Sequence, residues 1–213
     1  MNSIFEFSNR VINGDCVRVL ADLPAGSVDF VLTDPPYLVN YHDRQDRTLA
    51  GDRADEWLKP AFAEIFRVLK PGRFCVSFYG WNKVDRFFAA WRPAGFRPAG
   101  HLVWVKRYIS GQGLLAYQHE QAYLLAKGSS GQRPLNPLPD VLAWHYTGNP
   151  FHPTQKPVRS LKPVIEAFTR QGDVVLDPFC GSGSTLLAAK ILGRRYIGIE
   201  LSADYAEAAR QRL

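Results

Sequence analysis

Cysteine is scarce in this 213-residue chain: Cys16, Cys75 and Cys180 stand far apart and form no C-x-x-C pair. That spacing excludes a disulfide framework and a cysteine-held zinc. No apolar run approaches the ~20 residues that a membrane-crossing helix requires, and the amino-terminal MNSIFEFSNR lacks the basic-then-apolar layout of a secretory signal. The expectation is a protein that is neither exported nor membrane-inserted and works in the reducing cytoplasm. Charge of one sign is not concentrated either. Lys and Arg number 26 against 20 Asp and Glu, a net +6, which favours a polyanionic partner but serves solubility equally well. Internal repeats, long low-complexity tracts and a domain linker are all missing. With 46% hydrophobic residues, this length suffices for one core, so a single domain over 1–213 is expected.

What is present is alternation. Runs rich in β-branched and aromatic residues at 10–13, 28–33, 74–79, 101–105, 121–126, 174–179 and 196–199 read as strands. Segments 16–20, 55–69, 81–91, 161–169, 184–192 and 203–213 read as helices. The pattern predicts an α/β fold of three layers, a mostly parallel seven-stranded sheet with helices on both faces. Two strands in succession within 101–126 predict an antiparallel strand at the sheet edge. Two segments break the alternation. Residues 38–53 are polar with charges of both signs and read as a mobile surface loop. Residues 127–153 hold Pro134, Pro137, Pro139, Pro150 and Pro153, too many for regular hydrogen bonding, and read as an irregular excursion.

The first chemical signal closes the strand at 28–33: Asp34-Pro35-Pro36-Tyr37. Ligands of parallel α/β sheets bind beyond the carboxyl ends of the strands, which is where these residues fall. Successive prolines fix the turn, so that the Asp34 carboxylate and the Pro35 carbonyl can point together as acceptors. Such a pair suits the two hydrogens of an exocyclic amino group. Gripping them favours a pyramidal nitrogen with its lone pair free for attack, an effect strongest at the transition state. Tyr37 offers a face on which a base can stack, worth ~1 to 3 kcal/mol in single-strand binding. A proline-stopped strand with a capping aspartate is the plainer alternative.

The second signal is Asp177-Pro178-Phe179-Cys180-Gly181-Ser182-Gly183-Ser184-Thr185, a strand end, a glycine turn and a helix start, followed by a strand ending in Glu200. Gly181 and Gly183 let backbone approach a ligand, the helix start presents amides, and Glu200 can take both hydroxyls of a ribose. A nucleoside-bearing cofactor fits. Leu186 stands where a dinucleotide fingerprint needs a third glycine, so a pyrophosphate ligand fits less well. Two lesser signals accompany these. In His152-Pro153-Thr154-Gln155-Lys156-Pro157, Lys156 can pair with a carboxylate and Thr154 and Gln155 can hydrogen-bond the same ligand, or the segment is a helix-entry turn. His152 has no second His or Cys at ligand spacing, which favours packing over metal binding. Asp15, in Asn13-Gly14-Asp15-Cys16, can receive an adenine amino group or cap the helix that starts at Cys16.

Together these motifs resemble the S-adenosylmethionine-dependent DNA amino-methyltransferases that act on adenine N6 or cytosine N4. The tetrapeptide lies early and the cofactor loop late, which is similar to the permuted β class. The resemblance covers nearly the whole chain and implies a Rossmann-like methyltransferase fold of permuted motif order. It implies that Asp34, Pro35, Pro36 and Tyr37 hold a flipped base, with Tyr37 stacked on it. It implies S-adenosylmethionine bound by Asp15 and Cys16 at its adenine, by Glu200 at its ribose, and by Thr154 to Lys156 and the loop Asp177 to Thr185 elsewhere, with Asp34 bordering the cofactor. No metal is implied. An aspartate in the first catalytic position points to N6-adenine, with N4-cytosine as the alternative. DNA modification of the restriction-modification kind is also implied.

The resemblance implies DNA as partner, yet most relatives carry a larger target-recognition insertion. Here only 38–53 and the short segment 127–153 stand in its place, so sequence reading falls to them, to a second subunit in a homodimer, or to DNA shape. Tyr41, Arg44, Arg47, Arg53, Lys106, Arg107 and Arg133 are the expected DNA contacts, and Trp104 is expected to help line the base pocket. RNA and protein methyltransferases with related tetrapeptides place the cofactor loop first, opposite to the order here. A catalytically silent DNA-binding partner is the remaining rival.

Overall fold

A computed structural model describes residues 3–38, 55–128, 134, 137–148, 151–152 and 154–213. Its elements run α1 (Ile4–Phe7), β1 (Arg10–Asn13), α2 (Cys16–Ala21), β2 (Val28–Thr33), α3 (Leu58–Val68), β3 (Leu69–Phe78), a 3-10 turn (Trp81–Lys83), α4 (Val84–Ala94) and β4 (Arg97–Val105). Then follow β5 (Gly111–Gln112), β6 (Ala116–Tyr117), β7 (His119–Ala126), β8 (Val141–Ala143), α5 (Val158–Phe168), β9 (Val174–Asp177), α6 (Ser184–Ile191), β10 (Arg195–Glu200) and α7 (Ala203–Arg212). The main sheet orders its strands β1-β10-β9-β2-β3-β7-β4-β8.

Every residue of β2, Val-Asp-Phe-Val-Leu-Thr, is buried, as a strand covered on both faces must be. One face packs Val31, Leu69, Cys75, Leu176 and Ile197 beneath α2, α3 and α4. The other packs Phe30, Leu32, Val76, Val175 and Tyr196 beneath α5, α6 and α7. The helices supply matching stripes: α3 buries Leu58, Ala61, Phe62, Ile65 and Val68 at helical spacing. These two apolar layers and the sheet between them form the expected three-layer α/β fold.

A buried carboxylate pins the central strands. Asp29 accepts from the Val174 amide at 3.0 Å and pairs with Lys70 at 2.7 Å and Arg73 at 3.2 Å, tying β2 to the start of β9 and to β3. The chain ends meet as well: β1 lies parallel to β10 with Asn13 opposite Glu200, and the Asn13 side-chain amide donates to the Glu200 and Leu201 carbonyls.

The sheet departs from expectation in two respects. It has eight strands, because 141–143 within the proline-rich segment pairs with β4; three residues are too few to show a strand period. The antiparallel strand is internal. β7 runs between β3 and β4, antiparallel to both, so β4 is parallel to β3, and the edges are β1 and β8. The chain between β4 and β7, where no helix was expected, forms the small hairpin β5–β6. Trp104 is also displaced from its expected role. It is fully buried, its indole N–H donates to the Ser160 carbonyl at 3.0 Å, and its ring stacks on Phe78 at 4.8 Å.

Gly198 controls how closely α6 approaches the sheet. A Cβ there would lie 2.3 Å from Leu186 Cδ1 and 2.9 Å from Cys180 Sγ, so both α6 and the loop before it would be pushed off β10. Overpacking of a close-packed core costs about 1–3 kcal/mol. Gly198→Ala is expected to lose stability in that range by urea unfolding, with a larger loss for Gly198→Val.

Candidate active site

β9 and β2 are neighbours in the sheet, yet the chain leaves β2 toward α3 on one face and leaves β9 toward α6 on the other. Loops that diverge in this way open a crevice at the carboxyl ends of the two strands. Asp34 follows β2 and Asp177 ends β9, so the two strongest sequence motifs face each other across that crevice. The result is a cleft of about 520 Å³ lined by Asp15, Cys16, Asp34 to Tyr37, Trp57, His152, Thr154 to Lys156, Asp177 to Ser182, Ser184, Thr185, Glu200 and Tyr205, among others.

At one end, the Asp34 carboxylate is held on both oxygens. Tyr37 donates its hydroxyl to Oδ1 at 2.7 Å, and Lys156 donates from Nζ to Oδ2 at 2.6 Å. Lys156 is itself buried, its ammonium above the Phe78 ring at 5.0 Å and the Tyr37 ring at 5.4 Å. Burial pushes the Asp34 carboxyl up, and the Lys156 charge and the Tyr37 hydroxyl oppose that push. Burial alone would lower Lys156, but Asp34 and Glu120 outweigh it and the ammonium is held above its usual range. Burial and the Asp34 charge keep the Tyr37 phenol protonated, so it remains a donor.

At the other end, Glu200 is fixed by backbone. Its Oε2 accepts from the Gly181 amide at 2.9 Å and its Oε1 from the Ser202 amide at 2.8 Å. Each oxygen keeps a second lone pair for a ligand. Asp15 caps α2 through the Arg18 amide at 3.0 Å and borders the same space. The Cys180 amide donates to the Ile199 carbonyl at 2.9 Å, tying the glycine loop to β10. Trp57 and Phe179 pack at 5.0 Å to form an aromatic wall. Burial pushes the Cys16 thiol up to about 12 and Cys180 well above its ordinary value, so neither offers a thiolate near neutral pH.

The structure brings all four expected catalytic residues and fifteen of the sixteen expected cofactor residues, Asp34 being counted in both groups, onto this one cleft. Gly183 is the exception. It sits at φ +81 at the start of α6, and a Cβ there would meet Ala209 Cβ at 3.1 Å; the position serves the turn and the packing of α7. Thr154 turns toward His152, its hydroxyl 3.2 Å from Nδ1, and the His152 ring packs on Tyr205 at 4.3 Å. Among the described residues no His, Cys, Asp and Glu group could hold a metal ion, and no helix is long and apolar enough to cross a membrane.

The expected DNA contacts divide. Tyr41, Arg44, Arg47, Arg53 and Arg133 lie outside the described residues, as do all of 38–53 but Leu38. Arg107 is exposed. Lys106 is not available to a phosphate: it is 7% exposed, ion-paired with Glu120 and packed over the Trp144 ring at 5.5 Å. Sequence reasoning missed Trp57, Tyr205, Leu201 and Ser202. Trp57 was visible only as an apolar residue at a helix start, and Tyr205 only as an aromatic on the terminal helix.

The sequence pattern of the N6/N4 methyltransferases, described as DNA methylase, matches residues 28–211. The chain belongs to this DNA methylase family. YubD of Escherichia coli (strain K12) is 60% identical over 205 residues, covering 96% of this chain and 90% of YubD. TTHA0409 of Thermus thermophilus, solved in complex with S-adenosyl-L-methionine, is 26% identical with a TM-score of 0.73, covering 95% of this chain and 92% of that one. The M1.HpyAVI–SAM complex has the same fold, with a TM-score of 0.76 at 24% identity over 95% of this chain and 98% of that one.

Two titrations follow from the electrostatics of this methylase. Without the Lys156 charge, burial of Asp34 is opposed only by Tyr37. Lys156→Met is therefore expected to move the acid limb of activity to higher pH, costing more at pH 6 than at pH 8.5, whereas equal loss at every pH would contradict the role given to the ion pair. Asp177, buried and opposed only by the Phe179 amide and short hydroxyls, is pushed from 3.8 up to about 7. The folded state then holds this proton more tightly than the unfolded chain, so stability falls as pH rises from about 4 to about 7 and is level above. Asp177→Asn is expected to flatten that fall, on the order of a few kcal/mol, in urea titrations across that range.

Proposed function

We propose that this DNA methylase transfers a methyl group from S-adenosylmethionine to the N6 amino group of adenine everted from duplex DNA. The carrying observation is that an acceptor-rich tetrapeptide and a nucleoside-type loop line one cleft. The donor set supports the cofactor: Glu200 keeps spare acceptor positions for a ribose diol, Asp15 borders the place of an adenine edge, and the Trp57–Phe179 wall suits a planar ring. Lys156 and the amides near Gly181 and Ser182 would face the amino-acid portion. When bound, S-adenosylmethionine supplies an electrophilic sulfonium methyl.

The chain's own contribution lies at Asp34 and Pro35. The carboxylate and the Pro35 carbonyl accept the two amino hydrogens, drawing the nitrogen toward the pyramidal geometry that methylation needs. The carboxylate then takes up the proton that the alkylated nitrogen sheds. Tyr37 stacks on the base. No covalent enzyme intermediate is needed. Aspartate at position 34 supports adenine over cytosine. The four catalytic and the cofactor-contacting residues are assigned on this reading, as is the β-class permutation. Residues 38–53, with Arg107, Arg133 or a second subunit, carry DNA recognition within a single domain.

Asp34→Ala is expected to cut transfer at least about 100-fold while leaving cofactor affinity by calorimetry within a few fold; equal loss of both would remove the assignment. Mass spectrometry of treated, unmethylated DNA is expected to find N6-methyladenine. N4-methylcytosine would reverse the base assignment, and no product with DNA binding intact would mark a silent partner.

A further inference from the structure

Beyond the end of β4, on the sheet edge that carries Asp34, Asp177 and Glu200, the β5–β6 hairpin pairs Gly111 with Tyr117 and Gln112 with Ala116. Its turn ends in two leucines that stand in solvent, Leu114 at 104% and Leu115 at 69% of full exposure. Turns ordinarily carry Gly, Asn, Asp or Ser, and adjacent leucines at a hairpin tip forgo solubility without filling any core.

Both roots of the hairpin lead to the catalytic group. Tyr117 stacks on Trp81 at 6.3 Å and 28°. The preceding residue, Gly80, sits so close to Tyr37 that an added Cβ would lie 3.0 Å from the Tyr37 Cβ. On the other root, the Lys106 amide donates to the Gln118 carbonyl at 2.7 Å. The Lys106 ammonium pairs with Glu120, whose charge acts on Asp34, Tyr37 and Lys156. Arg107, just before the hairpin, is exposed, which leaves a cation at its root for a phosphate.

We propose that the β5–β6 hairpin enters the base stack of duplex DNA, with Leu114 and Leu115 filling the space the target nucleotide vacates. This rests on the base-everting methyl transfer proposed above. Eversion costs unstacking and unpairing, and apolar side chains wedged between base steps are a recurrent means of holding such an opening. Leucine suits the task because it fills volume and leaves no polar atom unpaired in the stack. Arg107 meets the backbone beside the opening.

The test uses L114A/L115A and L114C on the intact chain, assayed with long unmethylated DNA as native duplex and after heat denaturation. The double substitution is expected to slow transfer to duplex at least tenfold and to denatured strands less than twofold, with cofactor affinity unchanged. Cys16, Cys75 and Cys180 are buried, so alkylation reports on an introduced thiol. L114C is expected to react at least tenfold more slowly with iodoacetamide in saturating duplex, while I191C, at the far end of α6, keeps its rate. Equal losses on both DNA forms, an unprotected thiol, or conversion of a dimer to a monomer by L114A/L115A in sedimentation would each overturn the proposal; the last would show a second copy to be the occupant. Wild-type protein that binds duplex but transfers to neither form would fault the methyl-transfer reading, with thiol protection still deciding the hairpin.

Discussion

The cleft exists because β2 lies against β9. Two register pairs join these strands, Phe30 with Val175 and Val31 with Leu176, reinforced by the Asp29 carboxylate on an amide 145 positions away. The segments they carry forward depart to opposite faces of the sheet, and only for that reason does an open space remain between Asp34 and Asp177. The chemistry at residues 34–37 and 177–185 therefore depends on a contact between the two ends of the chain.

Four carboxylates share this space, and each is compensated differently. Asp34 has a buried ammonium and a phenol. Glu200 has two backbone amides, and Asp15 has the Arg18 amide at the start of α2. Asp177 has the weakest compensation and is correspondingly pushed toward neutrality. A site whose described residues are rich in acceptors and poor in free cations is suited to neutral amino and hydroxyl hydrogens, the groups that a nucleoside presents. Lys156 is engaged with Asp34, and its charge opposes the upward push that burial gives the Asp34 carboxyl.

Much of this was legible beforehand. Strand and helix periods placed β2, β9, β10, α5, α6 and α7 nearly where they occur, because buried elements must repeat apolar residues at their own period. The tetrapeptide and the glycine loop declared themselves through residue types that ordinary packing does not need. Less legible were features that depend on what lies opposite. Pro134, Pro137 and Pro139 masked the three residues of β8. Lys106 read as a surface charge, although Glu120 and Trp144 enclose it. Gly183 read as a ligand-facing glycine, although it faces Ala209.

The sequence by itself determined the alternation of strands and helices, the inventory of acceptors, the glycine turn and the order of the motifs, since each is a local property of side-chain size, charge or backbone freedom. Only the tertiary structure decided that β7 runs inside the sheet, that Lys156 is spent on Asp34, that Trp57 and Tyr205 wall the cleft, and that two leucines stand exposed at the tip of the β5–β6 hairpin. Those outcomes are set by which distant strands pair and which faces meet. A linear period reports how a segment buries itself and carries no record of its neighbour.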